Sequence, residues 1–164
     1  ASVAAAGADL MTVHAAGGTD MMSSAVKGAR KGAADVDLDA ERPTVCAITV
    51  LTSMDAAQLA AIGVQDEPAA EVERLAALAK DSGLDGIVCS PKEAAQMRAL
   101  LGEDAVIITP GVRPKGAALG DQSRVSTPKE AFEAGASHLV IGRPITRATD
   151  PVAAFDEIVA SLGE

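Results

Sequence analysis

The sequence predicts an α/β fold in which a parallel β-sheet is wrapped by helices. Apolar runs of strand length alternate with helix-like stretches along the whole chain, about five βα units in all. The runs are apolar almost continuously, as strands are when both faces of a sheet are covered. Length sets the third constraint. The 164 residues hold one domain, whereas a closed eight-stranded βα barrel takes about 250. No GxGxxG follows a strand, so a dinucleotide-binding open sheet has no positive signal. Five units therefore read as part of a (β/α)8 TIM barrel, a single incomplete domain spanning residues 1–164.

The opening ASVAAAGADL reads as the tail of a helix capped near Gly7, with no initiator Met, and suggests that something upstream is missing. Leu10–Ala15 is the first strand, followed by a helix over Asp20–Ala34. Thr44–Leu51 is the second, followed by Gln58–Ile62 and a clearer helix over Ala69–Asp81. Gly86–Ser90 precedes Pro91–Leu101, Ala105–Thr109 precedes Pro128–Ala134, and His138–Gly142 precedes Pro151–Leu162. Ser90-Pro91-Lys92-Glu93 and Thr127-Pro128-Lys129-Glu130 both read as capping boxes with Pro at the first helical position, and Asp150-Pro151 as a cap without the Glu. The echo of SPKEA in TPKEA fits an internal βα repeat and fits convergence on good caps equally well.

Composition removes several function classes. Lys and Arg total 14 against 23 Asp and Glu, a net charge of −9. Such a chain lacks the basic face that nucleic-acid binding needs, and an anionic ligand would have to be held by a few local arginines. The only aromatics are Phe132 and Phe155, so base-stacking platforms are absent and the core is built from Ala, Val, Ile and Leu. Cys46 and Cys89 sit in apolar runs outside any CxxC pair and read as buried, reduced core residues, with no metal site implied. No apolar stretch reaches the roughly 20 residues of a membrane span, and no leader is visible. The expectation is a soluble, cytoplasmic protein with no membrane partner.

In parallel α/β folds, working residues lie just past the C-terminal ends of strands. Here Gly111-Val112-Arg113 and Gly142-Arg143 each place an Arg close to a Gly at such an end. Glycine admits a close ligand, backbone N–H groups can face its oxygens, and Arg adds a charged fork. The pattern points to a phosphate cradle, though the same residues also read as solvated charges beside ordinary turns. Between them runs a Gly-rich loop, 115–125, readable as a lid or as a plain loop, from which Gln122 could reach over a ligand. Thr52 and Ser53 read as neutral partners for a polar ring or as caps of the next segment. His14, alone at a strand end, reads first as a packed residue, and Met21-Met22 as core filling.

The segments VHAAGG, AITVLTSM, GLDGIVCSPKEA, ITPGVRPKGAALGDQSRVSTPKEAFEAGA and LVIGRPIT, in this order, closely resemble bacterial orotidine 5'-phosphate decarboxylase. The resemblance covers nearly the whole chain, and PGVRP, GDQ and IGRPIT are highly specific in combination. It implies a TIM barrel that works as a homodimer without metal or cofactor and converts orotidine 5'-monophosphate to UMP and CO2 in pyrimidine biosynthesis. It further implies that Thr52 contacts the pyrimidine, that Arg113, Gln122, Gly142 and Arg143 grip the phosphate, and that the loop ending at Gln122 closes over the site.

The departure from the family pattern matters as much. The family carries an Asp on its first strand, a Lys on its second and a D-x-K-x-x-D motif ending its third, and these perform the chemistry. No D-x-K-x-x-D occurs here, and Lys27, Lys31, Lys80, Lys92, Lys115 and Lys129 all fall on helix or loop readings. The strands present match the family's fourth to eighth. The expectation is a chain that retains phosphate and pyrimidine binding, has no catalytic residue of its own, and by itself is inactive and either poorly folded or associated. A non-catalytic nucleotide-phosphate-binding fragment is the alternative reading, and a sister barrel acting on another phosphorylated substrate is a weaker third.

Overall fold

A computed structural model of the chain describes residues 1–37, 41–114 and 126–163. The elements run α1 (Ser2–Ala5), β1 (Leu10–His14), α2 (Gly18–Ala34), β2 (Thr44–Ile48), α3 (Ala56–Ala61), α4 (Pro68–Asp81), β3 (Gly86–Val88), α5 (Ala94–Leu101), β4 (Val106–Pro110), α6 (Pro128–Glu133), β5 (His138–Val140), α7 (Arg143–Thr146) and α8 (Pro151–Ala160). The five strands form one sheet in the order β1-β2-β3-β4-β5, every pair parallel. A doubly wound sheet reverses its strand order at a switch point. This one does not, so the sheet is singly wound, as an arc of a barrel is.

Register divides the sheet into two faces. Val13, Ala47, Ile87 and Ile107 stand side by side on one of them. That face meets the helices: Ala47, Ile87 and Ile107 pack with Met22, Val72, Leu75, Ala76 and Met97 into a buried cluster. Val45 extends the same layer against Val26 and Ala29 of α2. The opposite face carries Thr12, Cys46, Gly86 and Val106 in one row and His14, Ile48, Val88, Ile108 and His138 in the next. Here burial is uneven. Cys46 is fully buried, but Thr12, His14 and His138 are exposed on the outermost strands. The helix-facing side is therefore a finished core, and the other side is finished only in the middle of the sheet.

Two features lock the N-terminal ends of the strands. Arg42 forks onto Asp85, with Nη1 donating to Oδ2 at 2.6 Å and Nη2 to Oδ1 at 2.7 Å, while the Val45 N–H donates to the same carboxylate at 2.7 Å. Burial pushes the Asp85 carboxyl up, but the hydrogen bonds from Arg42 and Val45, with the Arg42 and Arg30 charges, outweigh it and hold the carboxyl below its ordinary range. One residue on, Gly86 lies so close to β4 that a Cβ there would overlap the Val106 carbonyl. A second lock is Arg98 on α5, which donates to the Ala105 carbonyl at 2.7 Å, the Gly135 carbonyl at 2.8 Å and the Ser137 hydroxyl at 3.0 Å. It ties α5 to the starts of β4 and β5.

The helix starts largely follow their sequence signals. Thr127 and Glu130 form the expected reciprocal box, and Asp150 accepts from the Val152 and Ala153 N–H groups. Asp55 and Gln58 form a further box at α3. The box expected at Ser90 is only half made. Glu93 accepts the Ser90 N–H at 2.8 Å, but the Ser90 hydroxyl caps nothing, and α5 begins at Ala94 after a turn.

Candidate functional site

Because every strand points the same way, all five C-terminal ends open on one side of the sheet. At the end of β2, Thr49 is spent on structure: its hydroxyl donates to the Val88 carbonyl at 2.7 Å and its N–H to the same oxygen at 3.1 Å. Three residues further, Thr52 is buried in the turn after exposed Leu51. At the end of β3, Ser90 is fully buried, and its Oγ has no hydrogen-bond partner among the described residues. A buried hydroxyl without a partner costs about 1–3 kcal/mol, so this atom stands out among the polar groups of the rim. Its spacing to Glu93 predicts a helix cap, while its place at a strand end, two residues past Val88, is the signal in the sequence for a rim position.

The cationic side of this rim comes from β4 and β5. Pro110 is matched with Val140 across the two strands. Arg113 and Arg143 each lie three residues past that pair, so they leave the sheet at the same end on neighbouring strands. Gly111 has φ +82°, a backbone state that favours glycine, and it turns the chain into Val112 and Arg113. Arg113 is buried, its Nη1 donating to the Val112 carbonyl at 2.8 Å and its N–H to the Ser126 carbonyl at 2.9 Å. Val112 and Ser126 bridge in parallel. Arg143 is half-buried at the first position of α7, and Gly142 precedes it as the cap, with its carbonyl accepting from Ile145 and Thr146. A side chain at Gly142 would meet only open space. Gln122 and the 115–125 loop lie outside the described residues.

The rim is thus graded: neutral hydroxyls from β2 and β3 on one side, two guanidinium groups from β4 and β5 on the other. That polarity suits a ligand with an anionic end and an uncharged polar end. His14 closes β1 at the same end and is exposed there. None of the five strands carries a Lys or an Asp. Among the described residues, no group of three or more His, Cys, Asp and Glu side chains is placed to hold a metal ion, and no helix is long and apolar enough to cross a membrane.

Comparison with known proteins shows the family. Residues 1–158 match the orotidine 5'-phosphate decarboxylase / HUMPS family. The chain belongs to that family. It is 49% identical over 164 residues to orotidine 5'-phosphate decarboxylase of Pseudoalteromonas atlantica, covering 99% of this chain and 68% of the relative. It is 52% identical over 161 residues to that of Anaeromyxobacter sp. strain K, covering 98% and 66%. The crystal structure of orotidine 5'-phosphate decarboxylase from Lactobacillus acidophilus superposes with a TM-score of 0.80 at 36% identity, covering 99% of this chain and 66% of that one. This chain therefore spans about two thirds of the length of the relatives it matches. The α/β class and the parallel sheet expected of a partial barrel are both present.

Proposed function

We propose that this chain is the phosphate- and pyrimidine-holding part of an orotidine 5'-phosphate decarboxylase, a single incomplete TIM-barrel domain whose whole form turns orotidine 5'-monophosphate into UMP and CO2. The observation that carries the reading is the shared exit of Arg113 and Arg143 from adjacent strand ends, three residues beyond the Pro110–Val140 pair. Two guanidinium forks there would meet the dianionic phosphate with charge-assisted hydrogen bonds, each worth about 1.5–3 kcal/mol. Gly142 would leave the backbone open to the phosphate oxygens, and Gln122 would reach in from the loop between the arginines. Thr52 and the spare hydroxyl of Ser90 would take the polar edge of the pyrimidine.

In this reading the chain holds the substrate but supplies no catalytic residue. Decarboxylation leaves a carbanion that needs an aimed proton donor, and preorganised charge is usually the largest catalytic term. With no Lys or Asp on its strands, the isolated chain would bind nucleotide without turning it over. The whole enzyme would work without cofactor, as a homodimer in the cytoplasm. The second reading, a non-catalytic nucleotide-phosphate-binding fragment, draws on that same lack of charged strand residues.

Titration calorimetry with UMP tests the proposal. The chain is expected to bind UMP, and Arg143→Ala to weaken binding by about 10–100-fold. Arg143 is half-buried, so its truncation leaves the sheet intact. Binding unchanged by Arg143→Ala would remove the phosphate assignment, and decarboxylation of orotidine 5'-monophosphate by the isolated chain would overturn the inactivity.

A further inference from the structure

Ser90 and Glu93 form a closed ring that differs from the cap their spacing predicts. The Ser90 N–H donates to Glu93 Oε2 at 2.8 Å, and the Glu93 N–H donates back to the Ser90 carbonyl at 3.1 Å. Both residues are buried, Ser90 fully and Glu93 at 5% exposure. In an ordinary capping box the N–H three residues on goes to the serine or threonine hydroxyl, as the Glu130 N–H goes to Thr127 Oγ1 at the start of α6. Here that N–H is taken by a carbonyl, and the Ser90 hydroxyl is left without a partner among the described residues. The chain just before it is fastened as well. Thr49 donates to the Val88 carbonyl through both its hydroxyl and its N–H, and the Cys89 N–H donates to the Ile108 carbonyl at 3.1 Å. Ser90 thus combines a fixed backbone with an uncommitted hydroxyl.

We propose that Glu93 is a positioning residue: its buried carboxylate holds the Ser90 main chain in a turn that withholds the hydroxyl from capping and keeps it for the uncharged end of the ligand. The proposal rests on the reading that the rim takes a pyrimidine nucleotide. A carboxylate suits this duty. It accepts a backbone N–H in a charge-assisted bond, stronger than a neutral one, and it satisfies a donor that burial would otherwise leave unpaired. A turn fixed in advance also spares the ligand the cost of ordering it. Without the carboxylate, the Ser90 N–H loses its acceptor, the turn opens, and the hydroxyl falls back on the cap its spacing allows. Glu93 touches no ligand in this scheme and acts through Ser90. Its effect is confined to the neutral side of the rim, because Arg113 and Arg143 leave from β4 and β5.

Two measurements test the role. Titration calorimetry first compares UMP with ribose 5-phosphate, which carries the phosphate but no base. Glu93→Ala should weaken UMP by about 10-fold and leave ribose 5-phosphate unchanged. Adding Ser90→Ala to it should weaken UMP no further, since the two residues act as one unit. Glu93→Gln, whose amide oxygen still accepts the N–H, should restore most of the affinity; Glu93→Asp, charged but shorter, should not. UMP affinity indifferent to Glu93→Ala, equal losses for both ligands, or additive losses from Glu93→Ala and Ser90→Ala overturn the proposal. The second measurement needs no ligand. In the wild type, Ser90→Ala should leave the thermal midpoint unchanged or raise it. In Glu93→Ala, or in Glu93→Asp where the alanine variant does not fold, the same substitution removes a cap and should lower the midpoint by about 2–4 °C. The same sign in both backgrounds overturns the proposal. A sign reversal in a chain that binds no UMP keeps Glu93 as the residue that frees the hydroxyl and removes the nucleotide reading instead.

Discussion

Arg42 and Asp85, 43 residues apart, meet in a two-pronged ion pair at the start of β2 and β3, and the same carboxylate accepts the Val45 N–H. The pair is about a quarter exposed, with side chains 22% and 30% accessible, so its weight comes from geometry and from the backbone donor it satisfies. Asp85→Asn should cost about 1.5–3 kcal/mol, the value of hydrogen bonds to a charged partner, read as a shift in urea midpoint at constant slope.

The same carboxyl sets an acid limit. Its folded pKa lies below the ordinary value, so its contribution is complete above about pH 4, the unfolded value. It is lost as pH falls from there through the folded pKa. Urea melts of the wild type between about pH 5 and pH 2.5 should therefore lose stability more steeply than those of Asp85→Asn. Parallel curves would show that Asp85 is not the group involved.

Gly86 and Gly142 make opposite predictions. Gly86→Ala drives a Cβ into the Val106 carbonyl and should cost more than about 2 kcal/mol, because backbone on both strands must shift. Gly142→Ala meets open space and should change stability by less than about 1 kcal/mol. Thermal melts of the two variants separate a structural glycine from one available to a ligand.

Ser90→Ala removes a buried hydroxyl that has no partner. The variant should be as stable as the wild type or up to about 1 kcal/mol more stable, and UMP affinity should fall. A Ser90→Ala chain that is markedly destabilised would mean the hydroxyl already has a structural duty.

The thiols should be silent. Burial, reinforced by the Asp85 charge, pushes Cys46 up to about 12, and Cys89 is equally enclosed. Near neutral pH the thiolate population of Cys46 is then on the order of one in ten thousand or less. A chromogenic disulfide reagent should label neither cysteine in the native chain and both in denaturant. Fast labelling of one in native buffer would contradict this burial.

Much of this was legible in the residues because the signals are local. The apolar runs locate all five strands, and Thr127-Pro128-Lys129-Glu130 announces α6 together with its cap. Strand ends were overestimated where apolar residues continue past the ladder, as at Thr49–Leu51 and Cys89–Ser90. The short helix α7 (Arg143–Thr146) has no element assigned to it from the sequence, since four residues are too few to show a helical period. Ser90 misled because its spacing to Glu93 satisfies the capping pattern while the backbone between them forms a turn instead. The Arg42–Asp85 fork has no local signature, for its partners lie in different βα units. Likewise, the sequence marks α8 as strongly apolar, but only coordinates reveal that Ile158 is its one buried residue.

Stability and the proposed recognition site occupy opposite ends of this sheet. Arg42, Asp85 and Arg98 bind the strands where they begin, while Thr52, Ser90, Arg113 and Arg143 emerge where they finish. Mutation can therefore explore the finishing end at little risk to the foundation. On the proposed function, a lineage could retune which phosphorylated ligand that end would grip, residue by residue, while the opposite rim stays fixed by the demands of folding.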